Sequence, residues 1–155
     1  LRVASYGFAR GAAHLAVHGA RIAEAVFETI PEILHGQDAV QACEVTRRPF
    51  DVAEDILFIE DIAERPYHID RMMQNLRFSG VLAQLSGLVV GQFSDCEEDP
   101  LMKKSVARII ADAVSEYDYP VCFNFPAGHV DDNLPLIMGK IVQLEVTKSG
   151  AILVF

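Results

Sequence analysis

The chain has 155 residues, 51% hydrophobic and 23% charged; that is one domain's worth of polypeptide, able to bury a core, and it excludes disorder. Thirteen Lys and Arg stand against 22 Asp and Glu, a formal net charge of −9, and the absence of a basic stripe with interleaved aromatics argues against a nucleic-acid partner. No apolar run approaches the ~18–20 residues needed to span a bilayer, so no membrane partner is expected.

Residues 1–6 read as a short strand ending at Gly7. From Ala9 to about Ile33 the spacing of Leu15, Ile22, Val26 and Ile30 predicts helix, interrupted by Gly11, Gly19 and Pro31. Residues 35–54 are polar and without pattern, and a loop or linker is expected there. Ile56 to Ile59 lacks polar alternation, the mark of a strand covered on both faces. Ile69, Met72, Met73 and Leu76 follow the i, i+3, i+4, i+7 spacing of an amphipathic helix, with Gly80 placed to cap its end.

Leu88 to Phe93 reads as another buried strand. Asp99-Pro100 has the form of a helix start, followed by Val106, Ile109, Ile110, Ala113, Val114 and Tyr117 on one face. Pro120 to Asn124 is a further strand. Ile141 to Val146 and Ala151 to Phe155 form a hairpin across Lys148-Ser149-Gly150. Strands alternating with helices and closed by a hairpin predict an α/β layered domain with a mixed sheet.

Cys43, Cys96 and Cys122 are odd in number and lack a C-x-x-C spacing, which speaks against a disulfide framework or a zinc site. Cys122, inside Val121-Cys122-Phe123, reads as a small buried hydrophobe. Reduced thiols and the lack of a recognisable signal peptide suit a cytoplasmic setting. The first residue, Leu1 and not Met, points to a fragment or a trimmed chain.

Two segments carry the most chemistry. Ile56-Leu57-Phe58-Ile59 runs into Glu60-Asp61, and Phe125-Pro126-Ala127-Gly128 runs into His129. A carboxylate at the carboxyl end of a buried strand and an imidazole in a Gly-containing turn can make the orienting and base members of a nucleophilic triad. The plainer alternatives are a solvated strand-end acid, or a helix cap, and a surface-loop histidine. Arg71 could bind a carboxylate, but pairing with Glu64 is the simpler expectation. Asp95, Glu97, Glu98 and Asp99 lack the spacing of a calcium loop and read as a solvated turn. None of the seven serines lies in Gly-x-Ser-x-Gly; Ser94, after a strand, is the internal serine best placed for a nucleophile, yet carries no motif.

The run Ile-Leu-Phe-Ile-Glu-Asp-Ile-Ala-Glu-Arg-Pro-Tyr-His-Ile-Asp-Arg-Met (56–72) resembles the LD-carboxypeptidase family of serine peptidases, which includes muramoyl-tetrapeptide carboxypeptidases and microcin C immunity peptidases. The resemblance continues through Leu76-Arg77, Gly80-Val81-Leu82, Gly87 to Phe93 with Asp95-Cys96, Tyr119-Pro120-Val121, Phe125 to His129, Leu134-Pro135-Leu136 and Gly139. It implies that residues 55–155 form the family's swivelling β/β/α C-terminal domain, with 1–54 a remnant of the N-terminal region and linker. It further implies a Ser–His–Glu triad in which His129 is the general base and Glu60 orients it, with no cofactor and no metal. The implied substrate is a cytoplasmic murein tetrapeptide losing its terminal D-amino acid, and the implied assembly is a homodimer.

The chain also departs from that pattern. Gly7-Phe8-Ala9-Arg10 echoes the family's nucleophile turn into a helix, with Ala9 where the serine should stand. His18-Gly19 echoes a His-Gly-Pro stretch, and the Gly-Gly-Asn segment is missing between 35 and 54. The chain alone is therefore expected to be inactive. The alternatives are a microcin C immunity-type amide hydrolase, or a non-catalytic module that binds a murein peptide or another subunit.

Overall fold

A computed structural model of the protein describes residues 2–3, 6–8, 14–24, 54–96 and 99–155. Among the described residues, eight strands form one mixed sheet: β1 (Arg2–Val3), β2 (Tyr6–Phe8), β3 (His14–Glu24), β4 (Ile56–Ile62), β5 (Gly87–Ser94), β6 (Val121–Phe123), β7 (Ile141–Thr147) and β8 (Gly150–Val154). Their order across the sheet is β1-β8-β7-β3-β4-β5-β6-β2. The pairs β3–β4, β4–β5 and β5–β6 are parallel, and the rest are antiparallel. Strands β1 and β2 end opposite edges of this order but are separated by residues 4 and 5 alone, a link that reaches at most about 11 Å. The sheet must therefore curl until its edges approach, and it forms a nearly closed barrel. The mixed α/β architecture read from the sequence is the one observed.

Three helices lie among the described residues: α1 (Pro66–Phe78), α2 (Val81–Gln84) and α3 (Val106–Ala113). The parallel strands β4, β5 and β6 need crossovers, and these helices supply them. Period-two alternation then divides the core. Leu57, Ile59, Leu88 and Val90 pack beneath Ile69, Met73, Ile109 and Ile110 of the helices. Ile56, Phe58 and Val89 face inward instead, against Val142, Leu144 and Leu153 of the hairpin. Both faces of β4 and β5 are thus covered, which is why their sequences read as unbroken apolar runs.

Gly80 adopts φ +78 just past α1, the left-handed position that lets the helix end without a β-carbon clash. The terminal hairpin forms as expected. Three readings change. Over residues 14–24 the expected helix is a strand, paired with β7 and β4. Its register slips between His18 and Ala20, so Gly19 is a bulge. The bulge falls between Leu15 and Ile22, whose seven-residue separation in the sequence imitates two turns of helix.

The helix expected from Asp99-Pro100 starts later, at Ser105, whose Oγ accepts from the Arg108 N–H. Asp99 Oδ1 accepts from the Leu101 and Met102 N–H groups and closes a turn instead. The opening strand is divided between β1 and β2. The linker expected over 35–54 lies outside the described residues, except for Glu54.

Candidate functional site

The site begins with a mismatch in strand lengths. Ile59 pairs with Val90 but Asp61 pairs with Phe93, so Gly91 and Gln92 of β5 together oppose Glu60. This bulge re-aims the end of β4. Glu60 continues the inward side of Ile56 and Phe58, and the two side chains of Phe58 and Glu60 line one depression.

After β6 the chain stays beside β5. The Phe125 N–H donates to the Val90 carbonyl (2.9 Å), and the Gln92 N–H donates to the Ala127 carbonyl (2.9 Å). Gln92 Nε2 adds a bond to the Phe125 carbonyl at 3.1 Å. A β-carbon on Gly91 would lie 2.5 Å from the Ala127 oxygen, so only glycine admits this approach. Gly128 then turns at φ +127 and donates its N–H to Asn133 Oδ1 (3.2 Å), which presents His129 to Glu60.

The two candidates meet. His129 Nδ1 lies 2.9 Å from Glu60 Oε2 across a separation of 69 residues. The Glu60 side chain is 20% exposed and that of His129 is 55% exposed. With Nδ1 engaged, Nε2 is the nitrogen left for chemistry, and among the described residues no group hydrogen-bonds to it. Beside it opens a depression of about 400 Å³ lined by Phe58, Glu60, Ala127, Asn133 and Met138.

The neighbours sort themselves around this pair. Asp61 binds the Ile62 N–H at 2.8 Å. Burial pushes its carboxyl above the usual range, the Ile62 N–H opposes that, and the charges of Glu64 and Glu60 reinforce it against His129. Glu64 pairs with His68 (2.6 Å), not with Arg71 as the sequence suggested; Arg71 is exposed on α1. Glu64 lies just before α1 and His68 in its first turn, so the two are close, whereas Arg71 is seven residues on and exposed. Ser94 is near, but its Oγ donates to the main-chain carbonyl of His129 at 2.9 Å. The Cys96 thiol is pushed up by burial, which suppresses the thiolate a nucleophile requires.

Among the described residues no group of three or more His, Cys, Asp or Glu is placed to hold a metal ion, and no helix is long and apolar enough to cross a membrane. Ala9 and residues 10–13 of the echoed turn lie outside the described residues. From His14 onward the chain is strand and not the helix that turn would lead into. Sequence reasoning passed over Gly91, Gln92 and Asn133. A glycine inside a buried strand was the available signal for the first, because it marks a bulge or a close backbone approach.

A Synechocystis sp. protein, named provisionally as a carboxypeptidase, is 36% identical over 96 residues, which are 61% of this chain and 32% of that protein. The crystal structure of muramoyltetrapeptide carboxypeptidase from Oxalobacter formigenes superimposes with a TM-score of 0.66 at 25% identity, covering 96% of this chain and 48% of the other. The microcin C7 self immunity protein MccF has the same fold, with a TM-score of 0.62 at 16% identity over 97% of this chain and 40% of the other. The chain thus matches about a third of the length of its curated relative. The model of the LD-carboxypeptidase C-terminal domain matches residues 37–144, and the chain belongs to the LD-carboxypeptidase family, of which it carries that domain.

Proposed function

We propose that Glu60 and His129 are the acid–base half of a serine-type peptidase site that removes the terminal D-amino acid from a murein tetrapeptide. The observation that carries this reading is the 2.9 Å contact between His129 Nδ1 and Glu60 Oε2 beside an open depression. A carboxylate on Nδ1 holds the proton there, so Nε2 can take the proton of a serine hydroxyl as it attacks the scissile carbonyl. The same nitrogen then returns that proton to the departing amine. Glu60 stabilises the imidazolium that forms between the two steps.

On this reading the hydroxyl comes from polypeptide other than residues 55–155, since Ser94, the internal serine best placed for the role, donates to a main-chain oxygen instead. The structural relative named a muramoyltetrapeptide carboxypeptidase supports the substrate class. The test mixes this chain with the serine-bearing N-terminal part of such a relative and follows release of D-alanine from murein tetrapeptide. Turnover in the mixture, with none from either part alone, is expected. Tight binding of the peptide without turnover under any condition would favour the other reading, a non-catalytic binding module, for which the commitment of Ser94 away from the His129 ring is the supporting observation.

A further inference from the structure

We infer that Ser94 is a positioning residue for His129, its hydroxyl clamping the histidine's main-chain carbonyl while Glu60 clamps the ring. This inference rests on the reading of Glu60 and His129 as an acid–base pair. A single ring contact leaves an imidazole free to pivot, and His129 sits 55% exposed in a loop with little packing around it. Its aim therefore depends on how firmly its own backbone is held.

The loop's other bonds fix its flanks. Asn133 Oδ1 holds the Gly128 N–H, the Leu134 N–H donates to the Pro126 carbonyl at 2.7 Å, and Ala127 is tied to Gln92. Among the described residues, the bond that ties the His129 main chain to the sheet is the one from Ser94 Oγ, at 2.9 Å.

Ser94 is well anchored for that task. It ends β5 in register with Ile62 of β4, and its carbonyl accepts from the Ala63 N–H at 2.8 Å. Glu60 and Ser94 therefore project from the ends of two adjacent, bonded strands and reach the same histidine from two directions. One holds Nδ1 and the other holds the carbonyl oxygen. The orientation of the sheet edge is passed to the imidazole through both.

The test reads the His129 tautomer directly, by long-range nitrogen–proton NMR on the whole chain at alkaline pH. A free neutral histidine prefers the proton on Nε2, whereas a held Nδ1–H···Glu60 contact requires it on Nδ1. The wild type should show the Nδ1–H form in excess. Ser94→Ala should lose at least half of that excess. Ser94→Thr, which keeps a hydroxyl, should restore it, and Ser94→Val, its equal in shape and branching, should not.

The Thr/Val comparison separates the hydroxyl from any loss of fold, since both side chains suit a strand end. Wild-type tautomer ratios in folded Ser94→Ala and Ser94→Val would overturn the inference. An Nε2–H wild type, unchanged by Glu60→Ala, would overturn the acid–base pairing beneath it. The two failures are thereby told apart.

Discussion

A β-carbon placed on Gly128 would lie 2.8 Å from Glu60 Oε2, closer than two such atoms can sit. The turn that presents His129 is packed directly on the carboxylate it presents it to. With φ at +127, Gly128→Ala meets both a conformational penalty and this contact. It should destabilise the domain by about 1–3 kcal/mol and cost more activity than stability, because relief of the clash parts the pair. Urea unfolding and turnover of the reconstituted site measure the two effects separately.

Gly91→Ala probes the same loop from the other side. Its β-carbon would lie 2.5 Å from the Ala127 oxygen and 3.0 Å from the Phe58 ring. The first is a main-chain atom and the second the ring of a buried aromatic, so the loop must lift. A loss of about 1–3 kcal/mol is expected in urea unfolding.

The C-terminal two-thirds of the fold was legible because its signals are local. Ile56 to Ile59 and Leu88 to Phe93 are buried on both faces, Ile69 to Leu76 keeps one apolar stripe, and Gly80 ends it. The strand at 14–24 was not legible, because the Gly19 bulge broke its period and its partners lie some 120 residues away in β7. The start of α3 was misplaced because Asp99 bonds to the backbone in a turn just as it would in a cap. At the site, Glu60 and His129 stood out by their neighbours in sequence. Ser94 was noticed only as a serine after a strand, and Gln92 and Asn133 not at all, since all three act by holding main chain, which any sequence can supply.

Arg21 and Asp55 test the unexpected strand. Asp55 is 6% exposed and receives Arg21 Nε and Nη2 on its two oxygens, each at 3.2 Å. That contact exists because β3 lies beside β4. Arg21→Ala leaves a buried carboxylate without its partner and should cost about 1–3 kcal/mol, the lower end being set by the exposure of the arginine. A helix over residues 14–24 has no reason to place Arg21 there, so an unchanged stability would speak against the strand.

Asp61 gives a pH signature. Its carboxyl is pushed above the usual range, chiefly by burial, so its charge costs more in the folded state than in the unfolded chain. The cost of its charge is felt in full above the folded pKa and fades as pH falls through the raised value toward 3.8. Asp61→Asn keeps an oxygen for the Ile62 N–H and removes the charge. Thermal unfolding should show a Tm gain of about 1–3 °C at neutral pH, small because the group is open to water, and no gain near pH 3.

The central claim is that Glu60 and His129 act as one unit, and a double-mutant cycle on kcat in the reconstituted enzyme tests it most directly. Glu60→Gln should lower kcat by about 10³–10⁴-fold with the fold retained, and His129→Ala by at least as much. The double variant should be no worse than His129→Ala, since an orienting group has nothing to orient once the base is gone. Losses that multiply, or a Glu60→Gln enzyme as fast as the parent, would contradict the pairing.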